Sequence, residues 1–154
     1  MTAQIRRSQV PAAEEFAFFH TLRVRWAEVD PQGIVFNANY LLYADIGMTE
    51  HMRALGFPYP ALDVFGTDLF AVSASANFHS PALYDDELRL GVRVAHLGRT
   101  SLRFEVGIFR KLDLLADVQL VYVNGDRETR APTALPTAFI DRVLDFERLL
   151  PTRK

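Results

Sequence analysis

The fold turns on one stretch of sequence, Asn39-Tyr40-Leu41-Leu42-Tyr43-Ala44-Asp45-Ile46-Gly47-Met48-Thr49-Glu50-His51-Met52-Arg53-Ala54-Leu55. Leu41, Leu42, Met48, Met52 and Leu55 recur at helical spacing, with Tyr40, Tyr43, Ala44 and Ile46 between them. Asn37 or Asn39 can cap the start, and Gly56 followed by Pro58 ends the run. Polar character is confined mainly to Asp45, Glu50, His51 and Arg53, and a helix apolar on most sides is a buried one, so the rest of the chain must wrap it. Asp45 and Glu50 stand five apart and cannot share a face as a working carboxylate pair. Gly47 costs about 1 kcal/mol against Ala in a helix interior, a cost that close packing or room for a bound group would explain.

Working outward, Phe16 to Trp26 settles into strand alternation at Leu22, Val24 and Trp26, and Asp30-Pro31-Gln32-Gly33 breaks it. Beyond the helix, alternation returns over Leu69 to Phe78, Glu87 to Leu97, Ser101 to Arg110 and Leu115 to Val123. The connections Asp85-Asp86, Gly98-Arg99 and 111–114 are short, which predicts an antiparallel meander. Thr137 to Leu150 reads as a terminal helix through Phe139, Val143, Phe146 and Leu150. The class is therefore α+β, with a curved antiparallel sheet of five to six strands around one long central helix. Residues 1–15 are polar and patternless, a flexible arm ahead of a single domain over 16–154. An open sheet keeps an unpaired edge, which pairing of two copies would close.

Composition narrows the function. The 154 residues suit one domain, and 49% hydrophobic with 23% charged residues describes an ordinary soluble globule. A net charge of −2 argues against a nucleic-acid partner. The absence of cysteine excludes disulfides, thiolate metal sites and a cysteine nucleophile. No apolar run reaches the roughly 18 residues of a membrane span, and residues 1–15 lack a signal-peptide core, so a cytoplasmic protein is expected. His20, His51, His79 and His96 are scattered without ligand spacing, so no metal is expected. Neither a G-x-S-x-G elbow nor a glycine-rich phosphate loop is present.

Asp30 is the first candidate for chemistry. Asp, Pro and Gly at the first, second and fourth places of a tetrapeptide form a type I turn, which by itself carries no catalysis. Yet Asp30 lies seven residues before Asn37, at the mouth of a helix whose first N–H groups have no internal partner. Such an end favours a developing oxyanion. A carboxylate beside an oxyanion site is the minimum apparatus for acyl transfer. Gly98-Arg99-Thr100-Ser101 is first a hairpin turn and second a donor-rich loop able to hold a phosphate or pantetheine group.

The segment Val24-Arg25-Trp26-Ala27-Glu28-Val29-Asp30-Pro31-Gln32-Gly33-Ile34-Val35-Phe36, with Asn39-Tyr40 opening the helix, resembles the signature of the 4-hydroxybenzoyl-CoA thioesterase family. These are hot-dog-fold acyl-CoA thioesterases of the aspartate-using branch. The likeness continues through Phe78, Pro81-Ala82, Asp85-Asp86, Leu88 and 98–101, over about residues 20–130. It implies hydrolysis of an acyl-CoA thioester to free acid and coenzyme A, with Asp30 as nucleophile or general base. The backbone N–H of Asn37 would polarise the carbonyl, and Gly33 would admit the substrate. Arg99, Thr100 and Ser101 would lie near the coenzyme A moiety. No cofactor is implied, since coenzyme A is part of the substrate. Relatives are homodimers or homotetramers with active sites at subunit interfaces. Many carry His where this chain has Asn37, so that side-chain role is absent here. Tyr40, Tyr43, Phe36 and Phe57 suit an aromatic or medium aliphatic acyl group, or are plain core. The competing readings are a non-catalytic acyl-CoA or acyl-carrier binding protein, and an enoyl-CoA hydratase, for which no histidine lies in the Asp30 segment. Light scattering at low micromolar concentration should give a mass above 17.5 kDa, and a 17.5 kDa species alone would remove the oligomer expectation.

Overall fold

The computed structural model describes residues 10–154. Along the chain run β1 (Phe18–Arg23), α1 (Asn39–Ala54), β2 (Thr67–Phe78), β3 (Glu87–Leu97), β4 (Ser101–Arg110), β5 (Asp113–Asp126), α2 (Thr137–Phe146) and β6 (Thr152–Arg153). The strands form one sheet in the order β1-β3-β4-β5-β2, antiparallel throughout, and the two residues of β6 run parallel to β3. The long helix against an antiparallel sheet is the arrangement expected from the sequence.

Strand order departs from the expected meander. Only β3, β4 and β5 follow one another; β2 crosses over to the far edge and pairs with β5, Phe78 opposite Ala116. The first strand is also shorter than its pattern. Trp26–Glu28 coil into a 3₁₀ turn that swings Trp26 out to 74% exposure and turns Glu28 inward. The terminal helix stops at Phe146 rather than Leu150, which is exposed.

Helix α1 buries one stripe: Tyr40, Tyr43, Ala44, Gly47, Met48, His51 and Met52. Leu41 and Leu42 face solvent in the single chain, so the helix is covered on one side rather than wrapped on all. Its cap residue is Ala38, without a side-chain cap bond, because the Asn39 amide donates instead to the Glu28 carbonyl at 2.9 Å. Gly56 closes the helix at φ +91°, a left-handed value that glycine adopts without strain.

Two glycine features set how closely the layers approach. A Cβ at Gly47 would sit 3.0 Å from Val92 Cγ2 and 3.4 Å from Leu90, so the missing side chain lets α1 lie close on β3. On the opposite face Gly91 and Gly107 pair across β3 and β4 and leave a flat bed beneath the rings of Phe16, Phe19 and Phe109. Val10 joins that cluster, and Arg148 donates to the Glu14 carbonyl at 3.0 Å. The stretch from Val10 to Glu15 therefore rests on the sheet, where the sequence suggested a loose arm; residues 1–9 of that arm lie outside the described residues. Gly47→Val should lower stability by about 1–3 kcal/mol through overpacking against Val92, read as a drop in the urea midpoint with the slope unchanged.

Candidate active site

Residues 28–36 form a small closed loop. Val29 bridges Val35, the Phe36 N–H reaches the Glu28 carbonyl at 3.0 Å, and the Val35 N–H reaches the Ala82 carbonyl at 2.9 Å. Glu28 is the anchor of this loop. Its buried carboxylate accepts from the Arg25 N–H at 2.9 Å, Arg25 Nε at 2.7 Å and the Tyr43 hydroxyl at 2.7 Å. Burial works to raise its pKa; the Arg25 backbone, the Tyr43 hydroxyl and the Arg25 guanidinium outweigh it and hold the group below its ordinary value. Burial, together with the bond to Glu28, pushes the Tyr43 hydroxyl well above the usual phenol range.

At the tip of the loop Asp30 opens the turn that the sequence predicts. Its carbonyl accepts from the Gly33 N–H at 2.9 Å, and its Oδ1 from the Gln32 N–H at 2.8 Å. Oδ2 has no hydrogen-bond partner among the described residues. Gly33 has φ +78° with open space where a Cβ would point, so its glycine is required by backbone conformation. The Asp30 N–H bonds the Ile34 carbonyl at 2.9 Å.

From Ile34 onward the chain lines a cavity of about 280 Å³. Ile34, Val35, Asn37 and Tyr40 form one side, and residues 78–81 at the end of β2 form the other. Here α1 begins. Asn39, Tyr40 and Leu41 donate to carbonyls three residues back, whereas the amides of Asn37 and Ala38 donate to nothing among the described residues. Tyr40 is buried, its hydroxyl accepting from the Ala82 N–H at 3.0 Å and its ring edge-on to Phe78 at 5.2 Å.

Of the residues singled out in sequence, Asn37 and Tyr40 share the cavity wall, while Asp30 and Gly33 stand in the adjoining turn and are not part of the wall. Arg99, Thr100 and Ser101 are not brought to them. They form the β3–β4 turn, at the Ser101 end of β4, whereas the cavity lies at the Ile108 end, level with Ala116 and Phe78. At about 3.3 Å per residue the separation is roughly 20 Å or more. Of the other aromatics, Tyr43 is committed to Glu28 and Phe57 packs on Phe139 at 5.5 Å, which makes both core.

Sequence reading missed a pair that does reach the cavity. His79 is one of its wall residues, and its Nε2 lies 2.6 Å from Oδ2 of Asp117, a fully buried carboxylate on β5 that also accepts from Asn77 Nδ2 at 2.9 Å. Thirty-eight positions separate the two in the chain; only the β2–β5 pairing joins them.

Comparison with known proteins gives concordant matches. The model of the thioesterase superfamily matches residues 32–116. A protein of Aquifex aeolicus is 30% identical over 94 residues, 61% of this chain and 73% of its own. An acyl-CoA thioester hydrolase of Escherichia coli O157:H7 is 26% identical over 120 residues, covering 77% of this chain and 90% of that one. Among solved structures, a thioesterase from Thermus thermophilus complexed with coenzyme A and Zn superposes with a TM-score of 0.75 at 27% identity, covering 89% of this chain and 99% of that one.

The Glu28 contacts yield a pH-dependent prediction. Because its pKa is depressed in the folded protein, its contribution is present above the unfolded carboxylate range and lost as pH falls through the folded value. Glu28→Gln should therefore cost about 1–3 kcal/mol at pH 7, with the gap to wild type closing in acid denaturation series below about pH 4.

Proposed function

Because the chain belongs to the thioesterase superfamily, we propose that it hydrolyses an acyl-CoA thioester to the free acid and coenzyme A. The observation that carries this reading is the pair of unpartnered amides, Asn37 and Ala38, opening α1 at a cavity beside the Asp30 turn. In this reading they are the donors that would receive the oxyanion, and one such donor is typically worth about 2.7–4 kcal/mol. In this reading Oδ2 of Asp30, the oxygen its own turn leaves unused, either attacks the carbonyl to give a mixed anhydride or removes a proton from water. Gly33 gives the turn the backbone that presents that oxygen, and Tyr40 forms the wall for the acyl group.

Arg99, Thr100 and Ser101 enter the reading through a second copy. Standing far from the cavity of their own chain, they would serve the coenzyme A moiety of a substrate held by a partner subunit, in a homodimer or homotetramer with its sites between subunits. The edge of β2, which among the described residues pairs on one side only, is where such an assembly would close the sheet. The protein would work without a cofactor, in the cytoplasm; no helix among the described residues is long and apolar enough to cross a membrane.

One observation favours a second reading. The bond from Gln32 to Asp30 Oδ1 is what a purely structural turn would also have, and a protein that only binds acyl-CoA needs no more. Thiol release across a panel of acyl-CoA substrates separates the two, since a binder would retain acyl-CoA without releasing thiol. Asp30→Asn should lower kcat by about a hundredfold or more with the circular dichroism spectrum unchanged; near-full activity would remove Asp30 from the mechanism.

A further inference from the structure

The cavity that Asn37 and Tyr40 line also carries an imidazole, that of His79. We propose that His79 is the base that takes the proton of the hydrolytic water, held in the working tautomer by Asp117; this rests on the thioesterase reading above, with Asp30 as its nucleophile.

Asp117 is completely buried, and a buried carboxylate needs hydrogen-bond donors. It has two, Asn77 Nδ2 at 2.9 Å and His79 Nε2 at 2.6 Å. A carboxylate only accepts, so Nε2 carries the hydrogen and the lone pair of the neutral ring is on Nδ1. Nδ1 has no partner among the described residues, and the side chain keeps 25% of its surface exposed. A carboxylate behind an imidazole fixes its orientation and stabilises the imidazolium once formed. Supplying a donor to Asp117 does not of itself call for histidine, since Asn77 does so with an amide. What the ring adds is a second nitrogen on a residue of the cavity wall. The other wall residues, Ile34, Val35, Asn37, Tyr40, Phe78, Ser80 and Pro81, include no base that works near neutral pH.

The step balances without a further reagent. Asp30 Oδ2 bonds to the acyl carbon, the oxyanion rests on the Asn37 and Ala38 amides, and collapse breaks the carbon–sulfur bond to leave a mixed anhydride and a thiolate. A water oxygen then bonds to the anhydride carbon while one water proton passes to Nδ1, and collapse releases the free acid and the Asp30 carboxylate. The imidazolium gives its proton to the thiolate.

Thiol release by wild type, His79→Gln, His79→Ala and Asp117→Asn tests this. His79→Gln keeps an amide donor for Asp117 but cannot take a proton, and should lose about a hundredfold in kcat with its melting temperature kept. His79→Ala should be equally slow and recover when imidazole is added, a rescue that a purely structural histidine would not give. Asp117→Asn should lower kcat more than about tenfold with KM unchanged. Activity of His79→Gln within about threefold of wild type, or a slow His79→Ala that imidazole does not raise, would overturn the assignment while leaving the thioesterase reading intact. A wild-type protein that releases no thiol from any substrate would overturn the thioesterase reading instead, and this one with it.

Discussion

Glu28, through its carboxylate and its carbonyl, ties three pieces of chain that share no secondary structure: the 3₁₀ turn it ends, the loop that follows and the first turns of α1. Its oxygens take the Arg25 backbone and guanidinium on one side and the Tyr43 hydroxyl on the other, while its carbonyl takes the Asn39 amide and the Phe36 N–H. A charged acceptor out of water is costly to leave unmatched, so these contacts hold together or fail together. With them in place, the path from Asp30 to Asn37 has fixed ends. The Asn37 and Ala38 amides, without partners among the described residues, and Oδ2 of Asp30 then stand at the two ends of a segment whose ends are fixed.

The sheet supplies the other wall, and does so through its connectivity. Because β2 lies against β5 and not β3, its last residues stand beside Ala116 and Asp117, and the chain leaving β2 passes the mouth of α1. Close seating of α1 on β3 at Gly47 keeps the Tyr40 ring against Phe78 from the helix side. The opposite face of the sheet is occupied by the chain's own segments around Phe16 and Arg148. Among the described residues, Leu41 and Leu42 on the helix side stay exposed, and the edge strands β1 and β2 each pair on one side only.

Features set by neighbours in sequence were readable in advance. The period of α1, the turn at Asp30 and the glycine stop at Gly56 each depend on residues within four positions, and they stand where the pattern put them. The bounds of β3 and β4 follow for the same reason. What depended on distant partners was not readable. Ala71, Ser73 and Ser75 alternate with Val72, Ala74 and Ala76 well enough for a strand but carry nothing that selects β5 over β3. Asn39 has the chemistry of a cap, yet a carbonyl eleven residues back claims its amide. His79 looked like one of four scattered histidines because its acid arrives from another strand. Arg25 and Glu28, three apart, are the local sign of the anchor, but Arg25 alternates with Val24 and Trp26 as a strand's polar face would, and nothing nearby in sequence shows that Glu28 turns inward.

The crossover also imposes an order on synthesis. Emerging from the ribosome, α1 and β2 appear well before the strand on which β2 must dock, since β5 begins only at Asp113. A nascent chain halted between these points holds a helix with a bare apolar stripe and a long ribbon without its mate, and neither has a local contact that would shelter it. Non-local pairing of this kind slows folding and leaves sticky surface accessible to other chains. The same topology that carries His79 to the cavity therefore leaves residues 40–78 of the half-made protein without their β5 partner until residue 113 and beyond have emerged.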